Sequence, residues 1–315
     1  MKKIIPLLLL LCVATHAMAD NQKPFVIPEL SQWTGGTGDF AATGRIVAAG
    51  KDAQRIAKAF AADYEEMFGR PLSITTGKSR QGDIVLALGK DKTLGQEGYR
   101  LAIGDKATAT AATPQGLFWA TRSLLQMFEA GEGKTLPKGE AVDIPKYKLR
   151  GFMLDCGRKY IPADYLRKLT KVMAYYKMNT LHIHLNDCGF RQFYANDWDK
   201  TQAAFRLECE TFPGLTAKDG SYSKKEFIDL QILAEQHFVD IIPEIDIPAH
   251  SLAFTRYKPE IASEKYGLDH LDITKKETYD FCDALIKEYI SGKDPVFRSK
   301  RFHIGTDEYN KAAAE

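Results

Sequence analysis

The fold is decided by the stretch LRGFMLDCGRKYIPADYLRKLTKVMAYYKMNTLHIHLND, residues 149–187. Residues 149–154 and 180–185 are predicted to be strands, since both are short segments rich in apolar residues. Between them Pro162 opens a segment in which apolar residues recur at helical spacing. The stretch therefore predicts a strand–helix–strand unit with two parallel strands and a right-handed crossover.

The same strand–helix rhythm continues toward the C-terminus. Two capping-box patterns, Ser223 with Glu226 and Thr274 with Glu277, predict the starts of two further helices. An apolar run follows each helix and predicts a further parallel strand; these runs are residues 239–244 and 302–305. A last helix is predicted to begin at Tyr309.

Four strand–helix units in series indicate an α/β fold with a parallel sheet. Residues 148–315 are fewer than the ~250 residues that an eight-stranded (β/α)8 TIM barrel needs. The segment is therefore either an open four-stranded sheet or a barrel truncated after about four βα units. We favour the half barrel, with residues 148–315 as its N-terminal half.

Residues 20–147 predict a separate, small α+β domain. Helices are expected at 53–68 and from Pro114, because apolar residues share one face in each. Short strands are expected at residues 45–49, 72–75, 84–88, 99–103 and 107–112. Residues 20–44 show no clear period and are expected to be a lead-in, and residues 131–139 a loop without a site.

The first nineteen residues are typical of a secretory signal peptide. Lys2 and Lys3 precede a short apolar core, and Ala17-Met18-Ala19 provides a cleavage site. The apolar core is too short to span ~30 Å of hydrocarbon as a helix, and no later stretch approaches ~20 apolar residues. We expect an exported protein, periplasmic or secreted, with a mature chain from Asp20 and no membrane span.

The charge balance argues against a nucleic-acid partner. The chain has 43 Lys and Arg against 41 Asp and Glu, a net charge of +2, whereas nucleic-acid binders carry a basic excess. Four cysteines follow the leader, with no metal-binding spacing: Cys156, Cys188, Cys209 and Cys282. Free buried thiols are expected, although Cys156 and Cys188 follow adjacent predicted strands and a disulfide between them is an alternative.

Polar residues gather after each predicted strand. Because the carboxyl ends of parallel strands line the active sites of barrels and open α/β sheets, this recurrence predicts a site there. The residues are Asp155 after the first strand, His182, His184 and Asp187 at the second, Glu244, Asp246 and His250 at the third, and Asp307 and Glu308 at the fourth.

Asp307 and Glu308 form the sharpest pair. Adjacent carboxylates repel, so one of them tends to keep its proton and can serve as a general acid. The alternative is that Asp307 merely caps the helix that follows it.

The histidines have two interpretations each. His182 and His184 share one face of a strand and could bind a metal, but we prefer core histidines bonded to carboxylates. Asp187 and His250 could form either a proton relay or a structural ion pair.

Several of these motifs, taken in order, resemble glycoside hydrolase family 20. The resembling segments are Arg150–Asp155, His182–Asp187, Ile242–Ser251 and His303–Glu308. The preceding domain, with Glu97-Gly98-Tyr99, is similar to the accessory N-terminal domain of that family. The family usually has Gly-Gly before its Asp-Glu pair, whereas this chain has Gly-Thr.

The resemblance implies an exo-acting, retaining β-N-acetylhexosaminidase without a protein nucleophile. The acetamido oxygen of the substrate would attack the anomeric carbon and form an oxazolinium intermediate. Glu308 would act as general acid and base, and Asp307 would accept the acetamido N–H. Asp187 and His250 would form a relay behind Glu308, and Arg150 would hold ring hydroxyls.

The implied partner is a glycan with a terminal N-acetylhexosamine, GlcNAc or GalNAc, and no metal or cofactor is expected. The alternative function is that of a truncated, non-catalytic or degenerate glycan-binding fragment of the same family.

Overall fold

The computed structural model describes residues 19–309. The predicted signal peptide, apart from its last residue, and the helix predicted from Tyr309 onward lie outside the described residues. The chain divides into two compact units between Pro145 and Lys146. The sequence prediction placed this boundary two residues later.

The first unit is a seven-stranded sheet with two helices. Its strands lie in the order β1-β7-β5-β6-β4-β2-β3. The strands are β1 (Gln32–Ala41), β2 (Arg45–Ala48), β3 (Ser73–Thr75), β4 (Ile84–Leu88), β5 (Tyr99–Ile103), β6 (Ala107–Ala111) and β7 (Thr135–Asp143), and the helices are α1 (Lys51–Phe68) and α2 (Pro114–Ala130). Side chains alternate between buried and more exposed along β5 and β6, so one face of the sheet is covered.

Two strands of this unit contradict the sequence prediction. Residues 20–44 are not simply a lead-in, since β1 lies within them, and part of the segment expected to be a loop, residues 131–139, belongs to β7. The two strands pair antiparallel, with a register shift between Gly35 and Asp39. Glycines and an irregular register interrupt the two-residue alternation by which a strand is recognised in a sequence. The sequence pattern therefore does not predict this pair of strands.

The second unit contains a parallel sheet of four strands in the order β15-β12-β9-β8. The strands of the whole unit are β8 (Gly151–Asp155), β9 (Thr180–His184), β10 (Asn186–Cys188), β11 (Ala203–Phe205), β12 (Asp240–Ile247), β13 (Ala262–Ser263), β14 (Gly267–Leu271) and β15 (His303–Gly305). The helices of the unit are α3 (Ala163–Tyr175), α4 (Lys224–Gln236), α5 (Leu252–Tyr257) and α6 (Lys276–Ile290). The four main strands pair in chain order, as the βα rhythm predicts. Within residues 19–309 the sheet does not close into a barrel.

The two predicted capping boxes have different outcomes. Ser223 caps α4 as expected: its hydroxyl accepts from the Glu226 N–H at 3.1 Å, and Glu226 accepts from the Ser223 N–H at 3.0 Å. The prediction for Thr274 is wrong, because α6 begins at Lys276 and has no side-chain cap. Instead the N–H and hydroxyl of Thr274 donate to the carboxylate of Asp272, which holds the preceding turn.

The cysteines after the leader are free thiols, as expected. Cys156, Cys188 and Cys209 are buried and Cys282 is half-buried. Burial raises the pKa of the Cys188 thiol to about 12, with the neighbouring Asp187 carboxylate adding to the effect. None of the helices in the described part of the chain combines the length and the apolar character that crossing a membrane requires.

Candidate active site

The polar residues predicted to gather at one edge of the parallel sheet do come together there. His184 ends β9, Asp187 lies on β10 directly after it, and Glu244 and Asp246 lie on β12. His250 follows β12, and Asp307 and Glu308 follow β15. Each side chain therefore sits where a short apolar strand reaches the same end of the sheet.

Asp307 and Glu308 are the exposed part of this cluster. The Oε2 atom of Glu308 lies 3.2 Å from Nε2 of His250, and Oδ2 of Asp307 lies 3.7 Å from the same nitrogen. The side chains of Asp307 and Glu308 are 64% and 74% exposed, whereas that of His250 is 12% exposed. The two acids can therefore reach a ligand from solvent, while the imidazole supports them from within the protein.

His250 connects the acids to a buried carboxylate. Its Nδ1 lies 3.0 Å from Oδ1 of Asp187, so the other ring nitrogen faces Glu308. The hydrogen bond to Asp187 raises the pKa of His250 to about 9, although burial opposes this. Asp187, His250 and Glu308 thus lie in contact in that order, although Nε2 of His250 makes no hydrogen bond within the described residues.

Asp187 is almost fully buried and is surrounded by donors. Nε2 of His184 lies 2.6 Å from Oδ2, and the N–H of Cys188 donates to Oδ1 at 2.6 Å. The Arg158 guanidinium lies 2.7 Å from the same carboxylate. Burial alone would raise the pKa of Asp187, but the hydrogen bonds from His184 and His250 outweigh it and lower the pKa to about 2.

The preferred interpretation, histidines bonded to carboxylates, is confirmed for His184, whereas Nε2 of His182 lies close to a carboxylate without forming a hydrogen bond. Nδ1 of His184 lies 2.8 Å from Oε2 of Glu244, and Nε2 of His182 lies 2.9 Å from the same oxygen. His303 reaches the other Glu244 oxygen at 2.8 Å. Burial opposes ionisation of Glu244, but the His182 and His184 imidazoles hold its pKa well below the usual range.

Some of these atoms are also close enough together to hold a cation. Four groups have donor atoms within 4.8 Å of one another: His182, Glu244 and His303; Asp155, His184 and Asp187; His184, Glu244 and Asp246; and Asp246, His250 and Asp307. In the first three groups the imidazoles already pair with carboxylates at 2.6–2.9 Å. The geometry therefore gives no argument for a metal in place of these pairs.

Asp246 supports the turn that carries the two acids. Its Oδ1 accepts from the Thr306 N–H at 3.1 Å, and a Cβ atom added to Gly305 would lie 1.6 Å from that oxygen. Gly305 and Thr306 both have left-handed backbones, with φ of +67° and +80°. Burial raises the pKa of Asp246 to about 7, and His250 partly opposes the rise.

Asp246 is predicted from the sequence only as a member of the cluster. The available signal was its spacing of two from Glu244, which puts both side chains on one face of a strand. The approach of Gly305 to Asp246 depends on packing between β12 and β15 and has no local signature.

Arg150 is not brought to the acid pair. It precedes β8 and so lies at the opposite end of that strand from Asp155. Its guanidinium donates to the backbone carbonyls of Lys177 and Tyr147, each at 2.7 Å. Its predicted contact with sugar hydroxyls stays a prediction.

Comparison with known proteins gives a family for both units. The sequence model described as glycosyl hydrolase family 20, catalytic domain, matches residues 147–315. The model described as domain 2 of the same family matches residues 23–144. The chain belongs to glycoside hydrolase family 20. The resemblance seen in the motifs of this family 20 chain is thereby confirmed.

Individual relatives agree with this assignment. The family 20 chain is 31% identical over 296 residues to a lacto-N-biosidase of Bifidobacterium bifidum, which covers 91% of this chain and 24% of that protein. It is 33% identical over 230 residues to a beta-hexosaminidase of Akkermansia muciniphila, covering 69% of this chain and 46% of the relative.

A solved structure extends the similarity to the fold. The family 20 beta-N-acetylhexosaminidase of Streptomyces coelicolor matches with a TM-score of 0.76 and 26% identity, over 90% of this chain and 60% of that one. This family 20 chain therefore spans less than half the length of the two curated relatives named above, and somewhat more of the solved one.

Proposed function

We propose that this chain forms part of an exo-acting, retaining β-N-acetylhexosaminidase. It would release terminal β-linked GlcNAc or GalNAc from glycans by substrate-assisted catalysis through an oxazolinium intermediate. The observation that carries the proposal is the series of contacts from buried Asp187 through His250 to exposed Glu308, with Asp307 beside Glu308. Glu308 and Asp307 therefore face solvent next to each other, and Glu308 is the closer of the two to His250.

In the proposed mechanism Glu308 protonates the glycosidic oxygen and later takes a proton from the attacking water. Its exposed carboxyl can approach a leaving group, and His250 lies on the side away from solvent. Asp307 accepts the acetamido N–H, which orients the acetamido oxygen toward the anomeric carbon. Its negative charge also stabilises the positive charge that grows on the ring in the transition state.

We further propose that β8, β9, β12 and β15 are the first four strands of a (β/α)8 barrel. Parallel neighbours in chain order support this arrangement, and so does the match to a solved relative over 60% of its length. Completion of the barrel would cover the side chains of Phe152, Met153 and Ile304, which are 46–52% exposed on the strands described here.

The names of the relatives suggest candidates for the sugar that the enzyme would release. Beta-hexosaminidases from several organisms are similar to this chain, and a Streptomyces plicatus relative, 26% identical with a TM-score of 0.75, is solved in complex with its product GlcNAc. A terminal N-acetylhexosamine is therefore the first candidate. Release of a disaccharide unit is the second, since a lacto-N-biosidase matches over 91% of this chain.

The proposal is tested on the complete gene product with 4-nitrophenyl GlcNAc, 4-nitrophenyl GalNAc and a disaccharide substrate. Glu308→Gln should lower kcat/KM by about 10²–10⁴-fold on the disaccharide, whose leaving group needs a proton. The loss should be much smaller on the aryl glycosides. Glu277→Gln, a change in the first turn of α6, is the matched control and should keep full activity.

Equal rates for Glu308→Gln and the parent protein on all substrates would reject Glu308 as the acid. A thiazoline analogue of the oxazolinium should bind tightly in isothermal titration, and no binding would argue against substrate assistance. Glycan binding without any turnover would instead support the non-catalytic alternative.

We also propose that the protein is exported, on the basis of Lys2, Lys3 and the Ala17-Met18-Ala19 pattern. Mass spectrometry of the protein from the extracytoplasmic fraction should find Asp20 as the first residue. An intact Met1 in that fraction would contradict the proposed cleavage.

A further inference from the structure

His184 is held between two carboxylates. Its Nε2 lies 2.6 Å from Oδ2 of Asp187, and its Nδ1 lies 2.8 Å from Oε2 of Glu244. Carboxylate oxygens only accept hydrogen bonds, so each ring nitrogen donates a proton and the ring is an imidazolium. The side chain is 6% exposed, and the relay from Asp187 to Glu308 does not itself include it.

Glu244 ties this imidazolium back to the strand that carries the acids. Its second oxygen lies 2.8 Å from Nδ1 of His303, and His303 is the first residue of β15. Glu308 follows the end of that same strand. The contacts therefore run from Glu308 through the relay to His184, and from there through Glu244 back to β15.

We propose that His184 is a positioning residue whose fixed positive charge limits how tightly Asp187 holds the proton of His250. The inference rests on the proposed function, because the relay matters only if Glu308 transfers protons. Asp187 shares its negative charge among His184, Arg158 and His250. When His184 loses its charge, more of the attraction of Asp187 acts on His250.

The surroundings determine the sign of the effect. Apart from the Arg158 guanidinium, the charged groups that face His184 or His250 are carboxyls: Asp155, Asp187, Glu244, Asp246, Asp307 and Glu308. All of them remain when His184 is replaced. Because removal of a nearby cation favours the protonated form of a base, the pKa of His250 should rise above about 9.

The size follows from the separation of the rings. The centroids of His184 and His250 are 6.4 Å apart. A unit charge at that distance, with an effective dielectric constant between those of a protein surface and of water, shifts a pKa by roughly 0.5–2 units.

The test follows the imidazole of His250 by ¹⁵N NMR across pH in the complete gene product. His184→Gln removes the charge and should move the titration midpoint of His250 upward by roughly 0.5–2 units. The control is His237→Gln, a change of another buried histidine, whose Nδ1 bonds the Leu233 carbonyl outside the cluster. It should leave the midpoint unchanged.

His184→Asn provides a second neutral variant. It removes the same positive charge beside Asp187, so the midpoint of His250 should again move upward. This variant decides the matter if His184→Gln does not fold. An unchanged His250 midpoint in either folded variant overturns the inference.

The basic limb of the kcat/KM profile should follow the NMR midpoint in each variant. A protein that hydrolyses no hexosaminide rejects the proposed function, whereas the NMR titration still reports on His184. If the pKa of the basic limb of the kcat/KM profile does not change and only thermal stability falls, the role of His184 is purely structural. The two failures are therefore distinguishable.

Discussion

Replacing Gly305 with alanine tests whether the close approach between β15 and β12 sets the position of the acid pair. Gly305 has φ of +67°, and an added Cβ would lie 1.6 Å from Oδ1 of Asp246. Asp246 is buried and its oxygen accepts from the Thr306 N–H. The turn or the carboxyl must therefore shift by roughly 1.5 Å to reach van der Waals contact.

Two contributions make up the expected loss of stability. A left-handed alanine costs about 1 kcal/mol relative to glycine. Losing the buried hydrogen bond to Thr306 adds about 1–3 kcal/mol. Gly305→Ala should therefore lower the free energy of unfolding by about 2–4 kcal/mol. A shift of roughly 1 Å at reacting groups costs ~10²-fold in rate, so kcat/KM should fall by about that factor.

The assay compares urea unfolding and hexosaminidase kinetics of Gly305→Ala with those of Gly292→Ala. Gly292 also has a left-handed backbone, with φ of +94°, but a Cβ there would meet nothing within 4 Å. The control should lose about 1 kcal/mol and keep its activity. If both variants lose the same stability and both keep kcat/KM, the contact with Asp246 does not position the acids.

Three further outcomes are expected. Asp246→Asn keeps an oxygen for the Thr306 N–H and removes a carboxyl whose pKa burial raises to about 7. Because the folded pKa of this carboxyl exceeds the unfolded one, its contribution to the stability of the parent protein is lost as pH rises from about 4 to 7. Urea unfolding should show the free energy of unfolding of the variant, relative to that of the parent, rising by on the order of 4 kcal/mol between pH 4 and pH 8. Ser223→Ala breaks the capping box of α4 and should lower the free energy of unfolding by about 1 kcal/mol in the same assay. Burial raises the pKa of the Cys156 and Cys188 thiols to about 11 and 12, so a disulfide-exchange reagent should label them only after unfolding; labelling of the native protein would contradict the described burial.

The parallel sheet was predictable because short segments rich in apolar residues alternate with helical patterns. Strands β8, β9 and β12 each contain aliphatic residues, although histidines interrupt β9 and acidic residues interrupt β12, and the helices between them keep a 3.6-residue period. The antiparallel pair of β1 and β7 was not predictable, because it joins segments about 100 residues apart. Its glycines also remove the alternation that would mark either strand.

The site was predictable at the level of which residues meet. Strand ends bring Asp187, His250, Asp307 and Glu308 to one edge, and the spacing along the chain reveals this. Which nitrogen faces which oxygen was not predictable. The pairing of Glu244 with His303 follows from the register of β12 against β15, which no local pattern encodes.

Two small two-stranded ribbons, β10 with β11 and β13 with β14, pair separately from the parallel sheet, and this affects how the fold can diversify. Within residues 19–309, strands β10 and β11 pair only with each other, and so do β13 and β14, in the excursions that leave β9 and β12. Residues added between the paired segments of either ribbon would lengthen its tip while the strand ends stay in register. Relatives with the same acids can thus differ in these two ribbons, and under the proposed function such differences would change which glycan fits while Asp187, His250 and Glu308 stay in place.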